Sequence, residues 1–307
     1  MMANGTACAK LILCGEHAVV YGRPAIALPL ADLRAHVSYH AAGSGDLRLE
    51  MLDTAGAADV FTELAYATAA LIGMSLHGTL TIRSEIPIAS GMGSGAAIAT
   101  ALVRALAAHA GVALAAEVVS QLVYRSEQRL HGTPSGIDNT VVAYERPIWF
   151  QRAVVTGQAA TLAPITNAVA FELVVGDTGV RSATRLPVEA VHAQRDRDPL
   201  HYEATFDAIA DLVAQVRTSL ATGNHTMLGA QLDTNHALLQ AIGVSSAELD
   251  RLVEAARRSG ALGAKLSGAG WGGVMLALAP PAAADAIAAA LRSAGAVRTF
   301  VVQIATA

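Results

Sequence analysis

The sequence predicts an α+β protein, and three observations predict it. A glycine-rich turn at residues 87–97 (Pro-Ile-Ala-Ser-Gly-Met-Gly-Ser-Gly-Ala-Ala) opens directly onto an alanine-rich run of helix formers, with an apolar stripe through Ile98, Leu102, Ala105 and Leu106. Short apolar segments bounded by turn residues recur at both ends of the chain, at 9–14, 25–30 and 274–278, and read as strands. Two long segments, 202–222 and 226–242, have the length and apolar spacing of packed helices.

Taken in order, 9–14 is a buried strand carrying one cation, Lys10, and 15–22 (Gly-Glu-His-Ala-Val-Val-Tyr-Gly) is the turn after it. Residues 25–30 and the alternating 33–40 read as two further strands, 62–72 as a helix and 79–84 as a strand. The glycine turn and its helix follow, then a second long helix at 115–130. That helix ends in a Gly/Pro-defined turn, 131–140 (His-Gly-Thr-Pro-Ser-Gly-Ile-Asp-Asn-Thr), which holds Asp138. After a strand at 147–151, the weakly patterned stretch 152–167 marks a boundary between domains 1–160 and 161–307. The second domain has a strand at 169–176, a charged loop at 195–199 and the two long helices. A helix with a Ser-Ser-Ala-Glu capping start at 245–248 runs to 259. A second glycine-rich turn at 264–273 leads into the strand 274–278, and a helix at 282–293 and a strand at 297–304 complete an α+β half.

The 307 residues are 53% hydrophobic and only 15% charged, enough for a large core and contrary to disorder. No apolar run is long enough to span a bilayer, and no basic segment precedes an apolar core at the N-terminus, so a cytoplasmic protein without a membrane partner is expected. A net charge of −4 without a basic run argues against nucleic acid. Cys8 and Cys14 lack His or Cys neighbours at zinc spacing and read as buried free thiols of a reducing compartment.

A glycine turn that opens a helix exposes unpaired N–H groups at the positive end of the helix dipole, and this cradles anions. A polyphosphate is the expected ligand; on the residues alone, close packing stays open as the loop's purpose. The P-loop pattern is absent because no Lys follows the glycines. Gly91-x-Gly93-x-x-Ala96 fits the relaxed dinucleotide pattern, but the first acidic residue downstream, Glu117, lies inside a helical segment rather than at a strand end. A nicotinamide fold is therefore disfavoured.

Three separated stretches, 10–22, 87–97 and 265–273, resemble the three motifs of the GHMP kinases, which phosphorylate galactose, homoserine, mevalonate or phosphomevalonate. The Gly-Glu-His-Ala-Val-Val-Tyr-Gly of 15–22 is similar to the mevalonate kinase family in particular. So are 131–139, Asp177-Thr-Gly and Asn235-His-x-Leu-Leu followed by Gly243-Val-Ser. The resemblance runs in order over nearly the whole chain. It implies a GHMP kinase fold, with an N-terminal half like ribosomal protein S5, a ferredoxin-like C-terminal half, and the active site in the cleft between them. It also implies ATP and Mg2+ as cofactors and mevalonate as the small-molecule substrate; a homodimer stays open.

By the same resemblance the ATP phosphates lie on Pro87, Ser90, Gly91, Met92, Gly93, Ser94, Gly95 and Ala96. Phosphoryl transfer asks for positioning and charge neutralisation more than covalent chemistry. Asp138 is the residue expected to steer the acceptor hydroxyl, and Lys10, costly to bury among Leu11, Ile12 and Leu13 without a partner, is its expected pair. Without the resemblance, Asp138 reads equally as a turn-stabilising aspartate and Lys10 as a snorkelling strand-end lysine. Glu127 matches the family's magnesium glutamate. Ser94 is its candidate companion, although many members have two serines where this chain has Ser94-Gly95, so Ser94 has three open roles: metal, β-phosphate or helix cap. Glu16 and His17 are expected to border the acceptor pocket, with His17 donating to a hydroxy acid, and Thr184 and Arg181 to line it from the C-terminal half. The expected activity is ATP-dependent formation of 5-phosphomevalonate. The alternatives are another small alcohol as acceptor, or a ligand sensor without turnover.

Overall fold

The computed structural model describes residues 2–51, 57–132, 134–153 and 159–306, and of His131 only the backbone. Thr133 of the Gly/Pro turn and residues 154–158 of the weakly patterned stretch lie outside the described residues. The chain divides into two compact units. The first comprises Met1–Lys10, Pro29–Ile88 and Met92–Arg146, the second Leu11–Leu28, Ala89–Gly91 and Pro147–Ala307.

In the first unit, β3 (Leu47–Met51) pairs in parallel with β4 (Gly78–Ser84). The far end of β2 (Pro24–Ala41) pairs antiparallel with β4, Ala35 opposite Ser84 and Ala41 opposite Gly78. Against these strands pack α1 (Ala58–Leu71) and α2 (Ser94–His109), and on those helices pack α3 (Ala116–His131) and α4 (Ile137–Tyr144). Helix α2 is buried along most of its length, and its alanines explain how. With methyl groups for side chains the helix can lie directly against backbone. At Gly5 of β1 (Met2–Cys14) an added Cβ would fall 2.1 Å from the Ala101 carbonyl, so this contact needs a glycine on the strand.

One carboxylate ties three of these elements. Glu145 ends α4 at φ 46°, and its Oε1 accepts from Cys8 N–H of β1 (3.3 Å), from Arg34 of β2 (2.8 Å) and from Arg104 of α2 (2.6 Å). Charge-assisted bonds from two guanidiniums make this a strong anchor.

In the second unit, Pro24–Ala27 of β2 pair antiparallel with β5 (Ile148–Gln151), which pairs with β6 (Thr161–Pro164). A separate antiparallel sheet has the order β10-β7-β9-β8, from β7 (Phe171–Asp177), β8 (Gly263–Ser267), β9 (Val274–Ala279) and β10 (Arg298–Ile304). Its helices are α5 (Arg185–Arg197), α6 (Pro199–Thr222), α7 (His225–Ala241), α8 (Ala247–Arg258) and α9 (Ala284–Ser293). Phe206, Leu239, Leu252, Leu266, Met275 and Ile287 share one apolar core between helices and sheet.

Four local readings change. Segments 25–30 and 33–40 are one strand, β2, because Pro29 sits where ladder pairing passes from β5 to β4. Asp138 stands in the first turn of α4, not in a free turn. The charged stretch 195–199 is the end of α5, with Arg195 and Arg197 at the negative pole of the helix, and the start of α6, where Asp198 caps His201 N–H at 3.2 Å. The serine that caps α8 is Ser246, accepting from Leu249 N–H at 3.4 Å.

Candidate active site

In the first unit, Lys10, Asp138, Glu127 and the start of α2 converge. Lys10 N–H donates to the Met92 carbonyl at 3.0 Å, which fixes the strand against the glycine turn. Its ammonium lies 3.0 Å from Asp138 Oδ1; the lysine side chain is 3% exposed and the aspartate 32%. The pair is sealed on one side and open on the other. Gly93 caps α2 at φ 73°, and a Cβ there would strike the Lys10 stem at 2.8 Å, so glycine is required on both conformational and steric grounds.

Glu127, on α3, is 4% exposed. A Cβ on Gly95, next to Ser94, would come within 3.1 Å of its Oε1, so the carboxyl lies over the first turn of α2. Burial, and then the charge of Asp138, push its pKa up to about 8, with Lys10 pulling the other way. Two carboxyls with one ammonium form a cluster that carries a net charge of −1 when both carboxyls are ionised, which favours a cation. Among the described residues no three His, Cys, Asp or Glu side chains gather as a complete metal cage. Mg2+ does not need one, because it takes one or two protein oxygens plus phosphates and water. Glu127, whose carboxyl lies over the turn that Ser94 begins, is chemically suited to supply one such oxygen.

In the second unit the two glycine turns touch. A Cβ on Gly268 would lie 3.2 Å from Gly91 Cα, and one on Gly273 2.6 Å from the Ser90 carbonyl. Backbone packs directly on backbone, so 264–273 supports the first part of the glycine turn 87–97. Beside this contact is a small cavity lined by Ser90, Gly91, Ser182, Thr184 and Gly272. Thr184 precedes α5 and makes no side-chain cap bond there, so its hydroxyl is not spent on the helix. Arg181 is not part of that lining. Its guanidinium meets the fully buried Asp177 carboxylate in a two-pronged contact, Nη1 to Oδ1 at 2.8 Å and Nη2 to Oδ2 at 2.9 Å.

Glu16 and His17 form an unusual turn. His17 has φ 59° and ψ −51°, and Ala18 N–H donates back to the Glu16 carbonyl at 2.7 Å. This is a three-residue γ-turn of the rare positive-φ kind, strained for a residue with a Cβ by about 1–3 kcal/mol. Two side chains hold it. Glu16, fully buried, meets the ammonium of Lys265, which also donates to the Leu266 carbonyl at 2.6 Å. His17 Nε2 lies 2.9 Å from the Ala269 carbonyl. A carbonyl only accepts, so Nε2 bears the proton, and burial lowers the ring's pKa to about 4. The neutral ring therefore keeps Nδ1 as an acceptor, where a donor is expected from the sequence.

The N terminal domain profile of the GHMP kinases matches residues 55–146, and the C terminal profile matches residues 216–297. A mevalonate kinase of Thermococcus sibiricus is 34% identical over 96% of this chain and 94% of its own length. The chain belongs to the GHMP kinases. A second GHMP relative, the mevalonate kinase of Pyrococcus horikoshii, is 34% identical over 94% of this chain and 91% of its own. Among solved GHMP folds, an L. major mevalonate kinase in complex with R-mevalonate has a TM-score of 0.86 at 29% identity, covering 99% of this chain and 96% of that one.

The sequence reading names Lys10 and Asp138 as a pair and Glu127 by resemblance alone; the structure sets all three together. It misses Lys265 as a partner of Glu16, Asp177 as the holder of Arg181, and Ser182 in the cavity. A lysine amid Ala264, Leu266 and a glycine turn is the one available signal for Lys265, the same signal that singles out Lys10.

Proposed function

We propose that this GHMP kinase transfers the γ-phosphoryl group of ATP to the primary hydroxyl of mevalonate, giving 5-phosphomevalonate and ADP. The Lys10–Asp138 pair beside the start of α2 carries the reading, and full-length relatives named mevalonate kinase support the acceptor. Residues 88–96 offer backbone N–H groups, and α2 its N-terminal dipole, to the phosphates, with Pro87 at the entry of the turn. Asp138, the water-accessible member of the pair, accepts the hydroxyl proton or orients the hydroxyl, while Lys10 holds the carboxylate from its buried side. Glu127 and Ser94 would hold Mg2+, which supplies charge neutralisation on the phosphates when bound. His17 and Thr184 are assigned to the acceptor, and Arg181 is assigned to it from outside the small cavity, oriented by Asp177.

Domains 1–160 and 161–307 are proposed as the two GHMP halves, in keeping with the profile matches at 55–146 and 216–297. A cytoplasmic setting is proposed because Cys8 and Cys14 are buried free thiols, and no helix among the described residues is long and apolar enough to cross a membrane. ADP release across mevalonate, phosphomevalonate, homoserine and galactose tests the reading. Mevalonate should be the preferred acceptor; silence with mevalonate, or preference for another member of the panel, refutes it.

A further inference from the structure

We propose that Lys265 is a positioning residue for acceptor binding. It holds the Glu16–His17 γ-turn in its strained form and so fixes which ring nitrogen His17 offers; this rests on the reading of His17 as an acceptor contact. Glu16 and His17 are consecutive, and both are held by one short segment, Glu16 by the Lys265 ammonium and His17 Nε2 by the Ala269 carbonyl. Lys265 belongs to β8, whose five residues are all buried, and its ammonium has a second anchor in the Leu266 carbonyl, so it cannot swing away. Gly91, Gly268 and Gly273 pack backbone to backbone around the same segment, which keeps Ala269 in place.

A non-glycine residue at φ 59° relaxes toward negative φ unless its surroundings over-determine it. Relaxation would turn the imidazole and release Nε2 from Ala269. The ring could then adopt either tautomer, and Nδ1 would no longer be a dedicated acceptor. Lys265 thus acts on the acceptor through Glu16 and the turn, without touching it. The neutral, Nε2-protonated ring suits a ligand hydroxyl, which donates to Nδ1, and gives no favourable contact to a carboxylate.

The test is a double-mutant cycle between Lys265→Met and His17→Ala, read as KM for mevalonate and for ATP, with long-range 1H–15N spectra of the imidazoles alongside. Each single variant should raise KM for mevalonate about tenfold with KM for ATP within about twofold, and the two together should raise it far less than the product, because both remove the same contact. The spectra should show His17 as one Nε2–H tautomer in the parent and as a mixture in Lys265→Met. Should that variant fail to fold, Glu16→Gln/Lys265→Met removes the orphaned charge and should show the same tautomer mixture. Multiplicative KM effects, or a loss of stability with mevalonate KM unchanged, would overturn the proposal alone. If His17→Ala leaves mevalonate KM unchanged, the acceptor role of His17 falls and the proposal with it. The tautomer spectra judge the clamp even if mevalonate is not the substrate, and an unchanged single tautomer in both Lys265 variants refutes it.

Discussion

The chain contains two lysine–carboxylate pairs, each with a buried lysine, that look alike as contacts and differ in what surrounds them. In Lys10–Asp138 the lysine is sealed and the carboxylate is one-third exposed. In Lys265–Glu16 both partners are closed off from water. A carboxylate that water can reach can also be reached by a substrate hydroxyl, and its loss leaves a lysine beside solvent. A fully enclosed pair can do no chemistry on a ligand, and breaking it strands a charge. The degree of enclosure separates a reacting pair from a holding one better than distance does.

Asp138→Asn should break the comparison most sharply. It removes charge with little change of volume, and kcat should fall on the order of a hundredfold or more with ATP affinity and fold retained, as single-turnover assays and nucleotide titration would show. Lys265→Met should do the reverse. Taking the ammonium away from the fully buried Glu16 should cost about 3–5 kcal/mol of stability in denaturant unfolding, against a far smaller loss for Lys10→Met. Equal losses in the two lysine variants would refute the distinction.

Glu127 sharpens the open side further. With Mg2+ held by Glu127 as proposed, the raised pKa predicts that binding displaces a proton, so apparent magnesium affinity should rise with pH up to about 8. Calorimetry in buffers of different ionisation enthalpy should detect proton release, and Glu127→Gln should abolish it. The remaining effect is on stability in acid. His17 and His236 are held neutral, chiefly by burial, with pKa near 4 against an ordinary 6.5. The unfolded chain then binds more protons between those values, so their contribution is complete above pH 6.5 and drains away as pH falls toward 4. Urea midpoints across that window should fall more steeply in the parent than in His17→Ala.

How far the sequence could be read depends on the range of each interaction. The glycine turn and α2 are legible because Gly91, Gly93 and the alanines act locally, through φ and helix propensity. The Lys10–Asp138 pair is legible through a chemical deficit, a lysine in an apolar strand, together with the family resemblance. Glu16 and Lys265 are 249 positions apart, and nothing local to either one names the other. The α4 helix is hidden by its neighbours, because Gly132, Pro134 and Gly136 signal a turn that continues into eight helical residues. His17 reads as a donor because sequence shows the ring and not the Ala269 carbonyl that takes its proton.

Glu145 has a consequence for how the first unit tolerates change. Its one oxygen receives the strand of Lys10, the helix that Ser94 begins and, through its own backbone, the helix of Asp138. Three elements held at a common point should move together, which would keep their separations nearly constant under thermal displacement or a distant substitution. Glu145→Gln would give each element its own drift, and the widened spread of Lys10–Asp138 separations should slow turnover without altering a single group that meets the substrate.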